Sequence, residues 1–110
     1  MAIKDLTTIK KHLFFCNGGS CKKRGAEEST AAVRLAIAAH GLSDSIHTTK
    51  TLCNGRCNDG PVVIAQPDGI WFQKIDTEKA EEFVRQYLVE QQVPWDNVLY
   101  AYGQNTIRVV

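Results

Sequence analysis

The stretch Leu13–Gly25, LFFCNGGSCKKRG, passes directly from an apolar run into a loop that holds two cysteines. A short apolar run bounded by Asn and Gly residues predicts a β-strand followed by a loop. Here the loop starts at Cys16 and brings a second thiol at Cys21. The same arrangement recurs in CNGRCNDG, where Cys53 and Cys57 flank three residues. The four cysteines therefore form two pairs, and each pair lies in a segment with the composition of a loop.

The segments around these loops predict alternating strands and helices. An alanine-rich segment with acidic residues at its start and a glycine after its end indicates a first helix. Apolar residues at i, i+3, i+4, i+7 and i+8 indicate a second helix. Three further β-branched or apolar runs indicate strands, and the last two are joined by a Pro-Asp-Gly turn into a hairpin. The strand segments are 11–15, 46–52, 62–65 and 70–75, and the first helix is about 25–40. The periodic residues of the second helix are Ala80, Phe83, Val84, Tyr87 and Leu88, with Asp76 or Thr77 as its cap.

This order, β-α-β-β-β-α, predicts an α/β fold with a four-stranded mixed sheet and two helices that cover one face. The first two strands are joined by a helix, so they are expected to be parallel. Residues 1–90 are expected to form this domain. Residues 91–110 do not fit the pattern and are predicted to form a C-terminal tail, which packs on the domain or on a dimer partner. Its aromatic residues Trp95, Tyr100 and Tyr102 favour a homodimer.

The composition excludes several classes of protein. The chain has 110 residues, of which 44% are hydrophobic, and a formal net charge of +1. These values predict one folded domain with no general attraction to nucleic acid or to a membrane. The N-terminus lacks the pattern of a signal peptide, so a cytoplasmic location is expected. In that compartment thiols stay reduced, which argues against structural disulfides as the use of the four cysteines.

Both cysteine pairs are expected at one edge of the sheet. Cys16 and Cys53 each follow a strand of the predicted parallel pair, and the carboxyl ends of parallel strands lie at the same edge. Four convergent thiols suit zinc or an iron–sulfur cluster. The spacings C-x4-C and C-x3-C are looser than the C-x2-C pairs common at zinc sites, and they differ from the plant-type ferredoxin spacing. At this stage a structural zinc site and an iron–sulfur cluster both remain open.

The runs FFCNGGSCKKRGA and CNGRCNDGPVVIAQPDGIWF resemble the thioredoxin-like [2Fe–2S] ferredoxins, over roughly residues 11–90. The resemblance implies a thioredoxin-like fold, one [2Fe–2S] cluster, one-electron transfer and redox partner proteins. It also implies that the cluster ligands are Cys16, Cys21, Cys53 and Cys57. The basic residues beside them, Lys22, Lys23, Arg24 and Arg56, are expected to offset the negative charge of the cluster or to contact an acidic partner.

Two other functions are compatible with these cysteines. The same spacing occurs in the thioredoxin-like subunit of respiratory complex I and related dehydrogenases, so the chain could be an electron-entry subunit of a larger dehydrogenase or biosynthetic complex. It could also be an interaction module stabilised by zinc on four cysteines. The sequence shows no nucleophile–base pair and no phosphate-binding glycine loop. No catalytic residue and no enzyme activity are therefore predicted.

Overall fold

The computed structural model describes residues 5–19, 23, 25–56 and 59–103. Within this part of the chain, five strands form one mixed sheet. They are β1 (Lys11–Cys16), β2 (Ile46–Thr51), β3 (Val63–Gln66), β4 (Ile70–Phe72) and β5 (Val98–Ala101). Their order across the sheet is β2-β1-β3-β4-β5. The predicted α/β class is confirmed.

The strand directions agree with the predicted topology. Strand β1 runs parallel to β2, with Lys11 opposite Ile46 and Cys16 opposite Thr51. All other neighbouring strands are antiparallel: β1 with β3, β3 with β4, and β4 with β5. The predicted hairpin corresponds to β3 and β4, which are joined through Pro67–Gly69. The parallel pair is the feature that positions the cysteine loops, because both of its strands end at the same edge.

The prediction of four strands was wrong by one strand. Strand β5 pairs with β4, where Phe72 lies opposite Val98 and Trp71 lies opposite Tyr100. The four-residue run VLYA gives little alternation and follows Pro94, so it carried no clear strand signal. It is a strand through its antiparallel pairing with β4, which makes β5 an edge strand of the sheet. The domain boundary expected at residue 90 remains a prediction.

The two main helices begin and end for local reasons. Helix α1 (Ala26–Ala39) starts after Gly25, whose φ of +88° suits glycine, and it carries acidic residues in its first turn. Helix α2 (Thr77–Phe83) starts at Asp76, whose side chain accepts a hydrogen bond from the Lys79 amide. It continues as a π-helical turn over Val84–Val89. No helix in the described ranges combines the length and the hydropathy that a membrane span requires.

The core lies between the sheet and the helices. Successive strand residues point to opposite faces of the sheet. The face that includes Leu13, Phe15 and Phe72 packs against apolar residues of α1 and α2. On the opposite face, a second cluster contains Cys16 and Ile64 together with residues that are only partly buried. Cys16 therefore ends its strand on the face away from the main core.

A hydrogen-bonded triad joins the far end of the sheet to the helices. The Tyr87 hydroxyl donates to the Asp68 carboxylate, and Lys11 Nζ lies 2.6 Å from Asp68 Oδ2. Burial raises the pKa of Asp68, but the hydrogen bonds from Lys11 and Tyr87 and the charge of Lys11 outweigh it, so that pKa lies below its usual value. Burial and the Asp68 carboxylate raise the pKa of Tyr87. The triad ties the β3–β4 turn to β1 and to the end of α2.

A pair of histidines lies across the parallel strands. His12 of β1 is directly opposite His47 of β2, and the two ring centroids are 4.5 Å apart. His12 Nε2 is 2.7 Å from the hydroxyl of Thr49. Burial lowers the pKa of His12, and the neighbouring His47 ring lowers it further. This pair lies toward the opposite end of the strands from Cys16.

Candidate metal centre

The two parallel strands bring their terminal cysteines to one edge of the sheet. Cys16 is the last residue of β1, and Cys53 follows β2 by two residues. The Asn17 amide donates to the Thr51 carbonyl over 2.9 Å, and the Cys16 amide donates to Val62 over 3.1 Å. These bonds continue the pairing of β1 with both neighbours up to the start of the first loop. Cys16 is therefore held on regular strand backbone, and Cys53 lies two residues beyond the end of its strand.

The two loops touch each other at Gly18. A Cβ atom placed on this residue would lie 2.9 Å from both Cα and Cβ of Cys53 and 3.0 Å from its amide nitrogen. Such distances are well inside the normal contact of about 3.5–4.0 Å between carbon atoms. Gly18 is therefore required for the close approach of the two cysteine loops. By contrast, a Cβ atom on the adjacent Gly19 would meet nothing within 4 Å.

The loop at Cys53 is held by its own asparagine. Asn54 Nδ2 donates to Thr51 Oγ1 over 2.6 Å and to the Leu52 carbonyl over 3.1 Å. Gly55, with φ of +84°, then turns its amide toward Cys53, and the distance from Gly55 N to Cys53 Sγ is 3.3 Å. The Cys53 sulfur thus receives a backbone hydrogen bond of the kind that stabilises negative charge on a thiolate.

The loop at Cys16 has a related arrangement. Its asparagine, Asn17, is buried, and Nδ2 donates to the Phe15 carbonyl over 3.1 Å. Each asparagine therefore folds back onto the carbonyl of the residue that precedes its cysteine. The tripeptide Cys-Asn-Gly begins both loops, so this local structure is repeated at both cysteine pairs.

The two described thiols differ in their exposure to solvent. Cys16 is 2% exposed, and its sulfur lies 3.5 Å from the Leu52 carbonyl oxygen. Cys53 is exposed, and the side chain of the preceding Leu52 is 83% exposed. Arg56, in the same loop, forms an ion pair with Asp59 at 2.7 Å. One cysteine is thus buried and the other is exposed to solvent.

The remaining predicted ligands, Cys21 and Cys57, lie outside the described residues, as do Lys22 and Arg24. Within the described ranges, no group of three or more His, Cys, Asp or Glu side chains is arranged to share a metal ion. These ranges include only two of the four cysteines, Cys16 and Cys53. The donor chemistry nevertheless suits an iron–sulfur cluster, because two soft thiol ligands come from loops in direct contact and one of them receives a backbone amide.

Sequence reasoning placed the cysteines on these strand ends but did not assign the residues that hold the loops. The roles of Gly18 and Thr51 depend on contacts between segments that are distant in sequence. A usable signal existed for Asn17 and Asn54, since the repeated tripeptide Cys-Asn-Gly is visible in the chain. Asparagine side chains commonly hydrogen-bond to nearby backbone in loops.

Comparison with known proteins identifies relatives in sequence and in structure. No family model matches the chain. A protein of Priestia megaterium named as a 2Fe-2S ferredoxin is 38% identical over 100 residues, which cover 91% of this chain and 78% of the relative. A 2Fe-2S ferredoxin of Aquifex aeolicus is 33% identical over 87 residues, which cover 71% of this chain and 78% of the relative.

The fold is similar to a solved structure as well. The thioredoxin-like [2Fe-2S] ferredoxin from Aquifex aeolicus superposes with a TM-score of 0.81 and 28% sequence identity, and the match covers 91% of this chain and 99% of that chain. The expected thioredoxin-like fold is therefore confirmed. With relatives of this similarity over most of its length, the chain belongs to the thioredoxin-like [2Fe–2S] ferredoxin family.

Proposed function

We propose that this protein is a one-electron carrier that binds a single [2Fe–2S] cluster through Cys16, Cys21, Cys53 and Cys57. The observation that carries the proposal is the contact between the two cysteine loops, where Gly18 lies directly against the backbone of Cys53. Two C-terminal strand ends supply Cys16 and Cys53 to the same edge, and each loop contains one further cysteine. The naming of its relatives as 2Fe-2S ferredoxins supports the cluster over zinc.

When bound, a [2Fe–2S] cluster accepts and releases one electron without forming a bond to a substrate. The residues of the chain hold it and adjust the charge around it. The thiolates of Cys16, Cys21, Cys53 and Cys57 would bind the irons, and the Gly55 amide donates a hydrogen bond to the Cys53 sulfur. Exposure of Cys53 leaves that sulfur at the surface, where a redox partner protein can approach. A reduced partner supplies the electron, and an oxidised partner receives it.

The proposal is tested by anaerobic purification followed by iron and sulfide analysis. About two irons and two sulfides per chain, visible absorption, and an EPR signal from the reduced protein are expected for one cluster. A colourless protein with about one zinc per chain would instead support the zinc-stabilised module. Size analysis in the presence of its co-purifying proteins distinguishes a free carrier from an electron-entry subunit of a larger complex.

The proposed function includes no catalytic residue of the chain itself. We also propose that the chain forms a homodimer and is located in the cytoplasm. Sedimentation of the loaded protein measures the oligomeric state, and fractionation of cells that express it measures the location. A monomer across the accessible concentration range would contradict the homodimer.

A further inference from the structure

The Asn54 side chain holds the loop that carries the Cys53 sulfur. Its amide group donates two hydrogen bonds backward, to Thr51 Oγ1 and to the Leu52 carbonyl. A backbone carbonyl can only accept, so the contact with Leu52 fixes Nδ2 as the donor. These bonds close residues 51–54 into a compact loop, and Cys53 lies inside that loop.

Thr51 connects this loop to the other cysteine loop. It lies opposite Cys16 in the parallel pairing, and its carbonyl accepts the Asn17 amide over 2.9 Å. Its hydroxyl accepts the 2.6 Å hydrogen bond from Asn54. A single residue of β2 is therefore bonded to the first residue after Cys16 and to the first residue after Cys53.

The Cys53 sulfur receives a hydrogen bond from Gly55, the residue after Asn54. Gly55 turns with a positive φ, and its amide lies 3.3 Å from Cys53 Sγ. The position of this amide depends on the backbone at Asn54, which the two side-chain hydrogen bonds hold against the end of β2. Hydrogen bonds to ligand sulfur favour the more negative, reduced form of a cluster.

We propose that Asn54, through its hydrogen bond to Thr51, is a positioning residue that holds the Gly55 amide against Cys53 Sγ and thereby raises the reduction potential. The proposal rests on the proposed function, because it takes Cys53 to be a cluster ligand. In this proposal Asn54 is not an iron ligand, but its side chain contributes to the reduction potential of the protein.

The test compares midpoint potentials of loaded variants. Asn54→Ala removes both backward hydrogen bonds, and Thr51→Val removes the hydroxyl while it keeps the shape of the strand residue. Each should lower the midpoint potential, with the ratio of reduced to oxidised protein at a fixed potential falling several-fold, up to about tenfold, which is about 59 mV for one electron. Thr51→Ser keeps the hydroxyl and should retain the wild-type potential.

The double variant separates a shared hydrogen bond from two independent effects. Both single substitutions remove the bond between Asn54 and Thr51, while Asn54→Ala also removes the bond to the Leu52 carbonyl, and Thr51→Val also removes the bonds that the hydroxyl donates to the Phe15 and Leu52 carbonyls. Asn54→Ala combined with Thr51→Val should therefore shift the potential by clearly less than the sum of the two single shifts. A shift equal to the sum of the two would overturn the proposal. The matched control is Asn97→Ala, since Asn97 Nδ2 donates a comparable hydrogen bond, over 3.0 Å, to the carbonyl of Gln73 and not to Thr51 or Leu52. It should leave the potential unchanged.

The outcomes distinguish this inference from the proposed function. A wild-type protein without iron and sulfide would contradict the proposed function itself. A wild type with a full cluster, together with an unchanged potential in Asn54→Ala and Thr51→Val, would overturn only the role of Asn54. Failure of both variants to load, while Thr51→Ser and Asn97→Ala load fully, would show that the bond between Asn54 and Thr51 is needed to bind the cluster, and it would overturn the narrower role in setting the potential. Failure of Asn97→Ala as well would indicate general instability and overturn the specific role.

Discussion

Replacing Gly18 with alanine is expected to weaken cluster binding, because it forces the two cysteine loops apart. The added Cβ would lie 2.9 Å from Cα and Cβ of Cys53. Contact between carbon atoms is relaxed at about 3.5 Å or more, so the loops must separate by roughly 0.6 Å. Distances from a metal to its ligands in well-formed sites lie within about 0.2 Å of their standard values, so a separation of this size is large for a shared cofactor. The neighbouring atoms belong to backbone and to a short side chain, which cannot rotate away.

The size of the effect follows from the cost of overpacking. Inserting a methyl group into a filled site costs about 1–3 kcal/mol. If the cluster-free chain relieves this contact by opening the loops, the full cost appears in cluster binding, as a loss of roughly 5- to 150-fold. The cost appears in binding because only the cluster-bound state requires the two loops to be in contact.

Retention of iron against a chelator measures this loss. Wild type, Gly18→Ala and Gly19→Ala are loaded anaerobically under the same conditions, and iron and sulfide per chain are followed during chelation. Gly19→Ala is the matched control, because its Cβ meets no atom within 4 Å. It should behave as the wild type does. Equal retention in Gly18→Ala and Gly19→Ala would refute the argument that the loops must touch to bind the cluster.

Three further predictions concern other parts of the molecule. Cys57→Ala should lose most of its iron and sulfide, and a fully loaded variant would contradict its assignment as a ligand. Tyr87→Phe should lower the free energy of unfolding by about 1 kcal/mol because the hydrogen bond to Asp68 is lost, and unchanged thermal stability of the loaded protein would argue against this contribution. The pKa of His12 is lower in the folded chain than in the unfolded chain, so the unfolded chain binds this proton more tightly. The thermal unfolding temperature should therefore decrease as the pH is lowered below about 6.5. This decrease should be smaller in His12→Gln, and an identical pH dependence in wild type and His12→Gln would contradict the prediction. In His47→Gln, NMR titration should show a higher pKa of His12 than in the wild type.

The order of elements could be predicted because its signals are local. Alternating or apolar runs bounded by glycine and asparagine give the first four strands, and alanine content with an acidic first turn gives α1. The predicted first strand, 11–15, differs by one residue from Lys11–Cys16. Strand β5 was missed because its stability comes from pairing with β4 and not from its own four residues.

The site could be predicted only in part. The parallel arrangement of β1 and β2 was sufficient to expect Cys16 and Cys53 at one edge, because strand direction follows from the helix between them. The contact of Gly18 with Cys53 and the hydrogen bond of Asn54 to Thr51 depend on the distance and angle between loops. Residue type and spacing do not contain that information, since a glycine in a turn and a glycine at a close contact look the same in a sequence.

The helical crossover between β1 and β2 has a consequence for recognising distant relatives. The 31 residues between Cys21 and Cys53 include α1 and its connection to β2. Lengthening the exposed connection after α1 would leave both strand ends where they are. Lengthening either cysteine loop would move a thiol. Searches for such proteins should therefore keep the spacing within each pair strict and allow the interval between the pairs to vary.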